Sequence, residues 1–232
     1  MSKRIAVSFL FVGLLASSQL IAGDVAGKVV FKGKAPAGVT INMNADPVCK
    51  KAHPAAVFGE EVVVNKNQTL KNVLIFLKDG LPAKSYEAPK QKLVFDQMGC
   101  QYKPHVLGIM VGQELDVKNS DPTLHNVHSL STLNTPFNRA QPMKNMVMTE
   151  KFDKVETFKV KCEVHPWMNA YIGVFNNPYF AVTGDDGAFT LKGVPAGEYT
   201  IEAWQEKYGA QTAKVKVDAS GKATVDFTYQ GN

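Results

Sequence analysis

The sequence predicts an all-β chain arranged as two sandwiches, and three observations carry that reading. Short apolar or alternating runs are bounded throughout by Gly, Pro, Asn and Asp. No segment sustains a helical period. Once an N-terminal leader is set aside, roughly 210 residues remain, enough for one large β domain or two small ones. Gly27 to Gly33 alternates, and Pro36 ends it. Val62 to Val64 and Val73 to Leu77 are short apolar runs, as buried strands would be. Val106 to Val111 and Leu115 to Val117 flank the turn Gly112-Gln113. Phe158 to Cys162 alternates strictly, and Tyr171 to Phe175 follows. Ala188 to Leu191, Tyr199 to Ile201, Ala213 to Val217 and Thr224 to Phe227 complete the strands. Asn134 to Met148, rich in Met and Asn, is expected to be irregular and to wrap over one end of the sheets.

The leader is residues 1–22. Lys3 and Arg4 precede an apolar run from Ile5 to Leu15, and Ala22-Gly23 offers a small-residue cleavage point. The run is too short to span a bilayer, and no later stretch is long and apolar enough. The expectation is a soluble, exported protein of the periplasm, with no transmembrane span. Cleavage lowers the formal charge from +5 to +3. The lysines are scattered, with no basic run flanked by aromatics, which speaks against nucleic acid as a partner. A mildly basic surface suits acidic redox partners.

Three cysteines is an odd number for an exported chain. Cys49 and Cys100 can pair, which leaves Cys162 over. Cys162 opens the segment Cys162-Glu-Val-His165-Pro-Trp-Met168, and His125-Asn-Val-His128 stands upstream. One thiolate, two imidazoles and one thioether form the donor set of an electron-transfer copper site, with Met as the long axial ligand. Each residue also has a plain structural reading: a buried thiol, a turn histidine, a core methionine. His125 and His128 point to opposite faces of a strand, so only one can join the set. Pro166 stiffens the loop. Trp167 is either an apolar rim for a transient partner or a packed core aromatic. Met143, Met146 and Met148 read either as a flexible apolar cover or as a soft copper-collecting surface. Cys49-x-x-x-His53 and Cys100-x-x-x-x-His105 read as a structural disulfide with two incidental histidines, or as a Cys2His2 metal site, perhaps for zinc.

Residues 89–177 resemble a cupredoxin. Tyr102-x-Pro104, Gly112-x-x-Leu115-x-Val117-x-Asn119-x-Asp121, His125-Asn126 and Cys162-x-x-His165-x-x-Met168 carry the resemblance, and the short final loop is amicyanin-like rather than plastocyanin-like. The resemblance implies a Greek-key β-sandwich and one copper ion cycling between Cu(I) and Cu(II). It selects His125 over His128, giving His125, Cys162, His165 and Met168 as ligands. It also implies a supporting role for Asn126, bonded across to the Cys loop. His165 becomes the exposed edge through which the electron passes, with Pro166 and Trp167 beside it as a docking rim. In this family the Tyr-x-Pro strand starts at the copper end, which would bring His105 near the metal.

The C-terminal part resembles a carboxypeptidase regulatory-like, transthyretin-type sandwich. Thr183-Gly-Asp-Asp-Gly187-Ala-Phe189-Thr-Leu191 and Gly193-Val-Pro195-Ala-Gly197-Glu-Tyr199-Thr-Ile201 carry it, with a hairpin turn at Asp186-Gly187. Such modules begin with a G-x-V-x-F-like strand, and one stands at Gly27 to Phe31. The expectation is a discontinuous module of residues 24–88 and 178–230 with residues 89–177 inserted; two consecutive domains are the alternative.

The function implied is a periplasmic blue-copper protein carrying single electrons between redox partners, such as a c-type cytochrome or a periplasmic dehydrogenase. The alternative is copper storage or delivery without electron transfer. An enzyme is not expected. Five histidines in total, two of them already in the first site, cannot also build a His-rich copper cluster. No Ser-His-Asp pattern, phosphate loop or H-E-x-x-H is present. A purely structural sandwich is the remaining reading, and the intact four-ligand set argues against it.

Overall fold

The computed structural model describes residues 22–218 and 221–231; nearly all of the leader, residues 1–21, lies outside them. The described chain runs β1 (Ala22–Lys32), α1 (Pro47–Ala52), β2 (Leu74–Asp79), β3 (Leu93–Gln97), β4 (Tyr102–Lys103), β5 (Val106–Met110), β6 (Leu115–Asn119), β7 (His125–Ser129), β8 (Asn138–Gln141) and β9 (Val147–Glu150). It continues through β10 (Glu156–Lys161), β11 (Asn169–Phe175), β12 (Phe180–Val182), β13 (Ala188–Pro195), β14 (Gly197–Gln205), β15 (Gly209–Val217), β16 (Lys222–Thr224) and β17 (Phe227–Gln230). The fold class is all-β. Among the described residues, no helix is long and apolar enough to cross a membrane.

Strands from both ends of the chain share two sheets. One has the order β13-β1-β16, with β17 also on β1; the other is β12-β2-β14-β15. Between them lies a core that includes Val29, Phe31, Ile75, Leu191, Ile201 and Tyr229. The middle of the chain makes the sheets β5-β11-β10-β7-β8 and β4-β3-β6-β9. The parallel pairs β3–β6 and β5–β11 require the chain to cross between sheets. Phe95, Tyr102, Leu115, Val160 and Ile172 fill that second core.

The two sandwiches meet on an aromatic seam. Phe76 packs on Phe175 at 4.8 Å, and Phe175 on Phe180 at 4.8 Å, measured between ring centres. Gly108 and Gly173 are register partners on β5 and β11. A Cβ on Gly173 would lie 2.5 Å from a Leu74 methyl, and one on Gly108 would lie 2.5 Å from the Phe180 ring. The missing side chains thus let Leu74 and Phe180 seat against the sheet.

Three segments depart from the sequence expectation. Val62 to Val64 forms no strand; Val64 only bridges to Leu70. The run is half-exposed, so its apolar content covers the first core from outside instead of joining a sheet. Asn134 to Met148 is more regular than its composition suggests. β8 pairs with β7, and β9 pairs with β6, so edge pairing of the backbone prevails there. The helix α1 lacks a sustained period because it is six residues long; Asp46 caps it, accepting from Val48 N (2.7 Å) and Cys49 N (3.1 Å), with a proline in its first turn. This segment leaves the first sandwich. Ile41, Met43, Cys49 and Val57 pack on the second core, although they lie within 24–88.

Two stability predictions arise here. Gly27 sits where β1 passes from β16 to β17. A Cβ there would lie 1.8 Å from the Val225 carbonyl oxygen, so backbone must move. Gly27→Ala is expected to cost about 3 kcal/mol in urea unfolding; an unchanged midpoint would show that β1 shifts freely. Glu156 gathers the turn at 131–134, accepting from Thr132 N (2.6 Å), Leu133 N (3.2 Å), Asn134 Nδ2 (3.0 Å) and the Ser131 hydroxyl. Burial would raise its pKa, but these donors, the Ser131 hydroxyl foremost, lower it from 4.5 to about 2. The folded pKa is depressed, so this stabilisation is complete above about pH 4.5 and is lost as pH falls through about 2. Glu156→Gln is expected to cost about 2 kcal/mol at neutral pH. The gap from the parent should shrink in unfolding curves taken from pH 5 down to pH 2.

Candidate metal centre

The site is built at one end of the second sandwich. β10 delivers Cys162, and the loop Cys162–Met168 returns to β11. Cys162 N–H donates to the Met168 carbonyl (3.0 Å) and Met168 N–H to the His165 carbonyl (2.9 Å), so the loop closes on itself. His125 is the first residue of β7, on the same sheet. The donor atoms of His125, Cys162 and His165 lie within 4.8 Å of one another, and all three residues are buried. The two Nδ1 atoms face each other at 3.0 Å, and Cys162 Sγ is 3.9 Å from His165 Nδ1. Met168 is buried in the same core.

The outer edges of both rings are tied down. His125 Nε2 lies 2.9 Å from Asp121 Oδ2, and His165 Nε2 lies 3.1 Å from Asp46 Oδ2. An ionised carboxylate can only accept, so Nε2 carries a proton in each ring, and Nδ1 is left as the atom that a metal would take once it is deprotonated. That is the arrangement of metal-ligating histidines with carboxylate support. Asp121 is itself fixed: it accepts from Gly99 N (2.8 Å) and Cys100 N (2.7 Å), and its own N–H donates to Asn119 Oδ1 (2.9 Å). Asp46 also accepts from the Thr123 hydroxyl at 2.9 Å.

Electrostatics follow from these contacts. Burial would lower the His125 pKa, but Asp121 and then Cys162 outweigh it and hold it at about 8. Burial would raise the Cys162 thiol, yet His125 and His165 bring it down to about 6. The thiolate, the ligating form, is therefore accessible near neutral pH. The backbone N–H of His165 adds a hydrogen bond to Cys162 Sγ at 3.4 Å. A thiolate, two inward imidazole nitrogens and a buried thioether residue fit copper in its one-electron sites.

The other predicted residues fall as follows. Asn126 Oδ1 accepts from Glu163 N at 3.2 Å, bonding across to the Cys loop. His128 is half-buried and faces Glu163, away from the donor set (2.5 Å). Cys49 and Cys100 form a disulfide, and Cys162 is free. The Cys2His2 alternative is not assembled: His53 Nε2 contacts the Gly99 carbonyl (2.6 Å), and His105 Nε2 contacts Glu206. His105 is thus engaged by the other sandwich rather than by the donor set.

One expectation is overturned. His165 is not an exposed edge; it is 2% exposed. Asp46 and the disulfide cover it, with Cys49 Sγ 3.6 Å from Nε2. Trp167 packs beside it, tilted by 42° with ring centres 5.0 Å apart, and its indole N–H donates to the Cys100 carbonyl at 3.0 Å. Trp167 is therefore half-buried packing, while Pro166 remains exposed. The physical reason is the excursion that carries α1 over the metal end. Asp46 and Asp121 went unassigned from sequence, although Asp46-Pro47 is a recognisable helix start and Asp121 stands in the pattern before His125.

Comparison with known proteins adds the following. The family model of the carboxypeptidase regulatory-like domain matches residues 165–230, starting within the metal loop. No curated protein matches the chain. Among solved structures, the copper-containing nitrite reductase NirK of Thermus scotoductus SA-01 is 18% identical, with a TM-score of 0.36, over 43% of this chain and 26% of its own. The chain thus spans about a quarter of that reductase. A methionine-to-glutamine mutant of amicyanin in its Cu(I) form is 23% identical, with a TM-score of 0.33, over 38% of this chain and 87% of its own. A purple cupredoxin from Nitrosopumilus maritimus is 22% identical, with a TM-score of 0.31, over 36% of this chain and 98% of its own. The chain is therefore similar to a carboxypeptidase regulatory-like domain over residues 165–230 and, by structure, to cupredoxins and a copper-containing reductase.

Proposed function

We propose that this is a type 1 copper protein of the periplasm that carries single electrons between redox partners and is not itself an enzyme. The observation that carries the proposal is the buried set of His125, Cys162 and His165, with both imidazoles oriented by carboxylates. Copper held there, with Met168 as the fourth ligand, would supply one-electron redox chemistry. The protein's own part is to hold the donors still. The loop closed between Cys162 and Met168 fixes three of them, Asp121 and Asp46 fix the ring planes, and the N–H of His165 tunes the sulfur. Burial excludes water from the set. With His165 covered, the exposed part of the loop is Glu163, Val164 and Pro166, and a redox partner such as a c-type cytochrome or a dehydrogenase is expected to dock there. The leader at residues 1–22 supports export.

The test is a Cu(II) titration of the oxidised mature protein followed by visible absorption and EPR. An intense blue band with narrow hyperfine splitting, saturating at one copper per chain, is expected. Loosely held, colourless copper would overturn the carrier and favour storage or delivery.

A further inference from the structure

We propose that the Cys49–Cys100 disulfide is a positioning element of the candidate metal centre: it holds a carboxylate on each imidazole, so that reducing it releases both rings and weakens the hold on copper. The copper reading supplies the ion; the positioning rests on this chain's own contacts. Each cysteine grips one of the two carboxylates through its backbone. Asp46 Oδ1 accepts from Cys49 N (3.1 Å), while Asp46 Oδ2 faces His165 Nε2 (3.1 Å). Asp121 Oδ2 accepts from Cys100 N (2.7 Å) and also faces His125 Nε2 (2.9 Å). The S–S bond therefore ties together the supports of two rings that come from different segments, one from β7 and one from the loop before β11. Two further contacts run from the same pair to His165. Cys49 Sγ lies 3.6 Å from its Nε2, and the Cys100 carbonyl accepts from the indole N–H of Trp167 (3.0 Å), which packs against the ring.

Neither cysteine is well placed without the bond. Cys49 sits in α1, which at six residues is too short to be stable alone. Cys100 has a φ of 53°, in the left-handed region that a residue with a Cβ rarely adopts. Its neighbour Gly99 gives its own N–H to Asp121 Oδ1 at 2.8 Å. Once the sulfurs part, Cys100 relaxes toward the ordinary backbone regions and the two N–H groups turn from Asp121. On the other side α1 frays, and of its side-chain partners only Thr123 still holds Asp46 against the site. Outer groups that orient metal-bound histidines are worth about 10–100-fold in affinity. A dithiol reductant makes the change. One reductant thiolate attacks a cysteine sulfur, the S–S bond breaks, and a mixed disulfide forms. The reductant's second thiol then displaces the protein sulfur and leaves as a cyclic disulfide. Two electrons and two protons end on Cys49 and Cys100.

The experiment records the imidazole nitrogen NMR spectra of isotope-labelled, metal-free protein, at a pH well above the His125 value of about 8. In the oxidised parent both rings are expected to carry the proton on Nε2. In Cys49→Ser/Cys100→Ser, and in the parent reduced with dithiothreitol, the Nδ1–H form should appear in both rings. Asp46→Ala should release His165 alone, and Asp121→Ala His125 alone. Copper affinity of the double variant, measured by competition with a chelator, should be at least tenfold below the parent's. The proposal is overturned if both rings keep the Nε2 proton without the disulfide, or if the double variant holds copper as tightly as the parent. It is equally overturned if dithiothreitol leaves the bond intact in the folded chain. Loss of the β-sheet circular dichroism in the variant and the reduced parent alike also overturns it, since the bond would then serve the fold as a whole. A parent that takes no blue copper would count against the carrier alone, and the metal-free spectra would still decide the positioning.

Discussion

Cys162→Ala is expected to abolish the blue band of the copper-loaded protein while its β-sheet circular dichroism stays unchanged. The intense colour of such a site arises from the thiolate, and Cys162 is the one free cysteine among the described residues. Its sulfur is buried, 3.9 Å from His165 Nδ1, and receives the His165 N–H at 3.4 Å. Removing it leaves two imidazoles and a thioether, a set without the soft anion that holds Cu(I). Copper affinity should fall by more than about 100-fold, beyond the cost of losing a supporting residue. The fold should persist because the change deletes one sulfur at the end of β10, and the Cys162 backbone bond to Met168 remains. Absorption and EPR of the loaded variant decide the matter; a variant that stays blue would show that Cys162 is not the ligand.

Three of the candidate donors were legible because they stand close in sequence, at spacings that a tight loop can close. Cys162, His165 and Met168 share one seven-residue stretch, and His125 opens a recognisable strand. The carboxylates were not legible for the opposite reason. Asp46 lies 119 residues from His165, and nothing local to either residue reports that contact. Only the fold carries α1 across the end of the second sandwich. The misplaced expectation of an exposed His165 has the same origin. It was drawn from a resemblance over residues 89–177, and the covering segment comes from outside that range.

Strand existence was easier to read than strand partnership. The alternation at Phe158 to Cys162 and Ala213 to Val217 reports a pleated, half-buried surface and appears as β10 and β15. The pairing of β1 with β13, β16 and β17 reports only on long-range register, which composition does not encode. Val62 to Val64 shows the limit in the other direction. Three β-branched residues favour an extended backbone, but with no partner strand beside them they bridge once and otherwise cover the core. Conversely, β8 has three exposed residues out of four and still pairs with β7, since the backbone of an edge strand needs no apolar pattern to bond.

Opening the disulfide is expected to uncover the candidate metal centre as well as destabilise the chain. Cys49 and Cys100 are separated by 51 residues. By loop-closure entropy, Cys49→Ser/Cys100→Ser should lose about 4 kcal/mol of stability. That is a large share of the roughly 5–15 kcal/mol a domain has to spare. The local consequence follows from how little else holds α1 down. Asp46 contributes bonds to Thr123 and His165, and Met43 and Cys49 bury into the second core. Without the covalent tie, this short helix depends on those few contacts, and six residues cannot sustain a helix alone. The His165 edge should then admit solvent. Hydrogen exchange over residues 41–57 should quicken in the variant, modification of His165 by diethylpyrocarbonate should rise, and exchange in β13 to β15 should be unaffected. Denaturant unfolding measures the first part of the prediction. If stability falls by the expected amount while His165 stays protected, the disulfide is only a staple, and the cover over the metal centre is held by Asp46 and its packing.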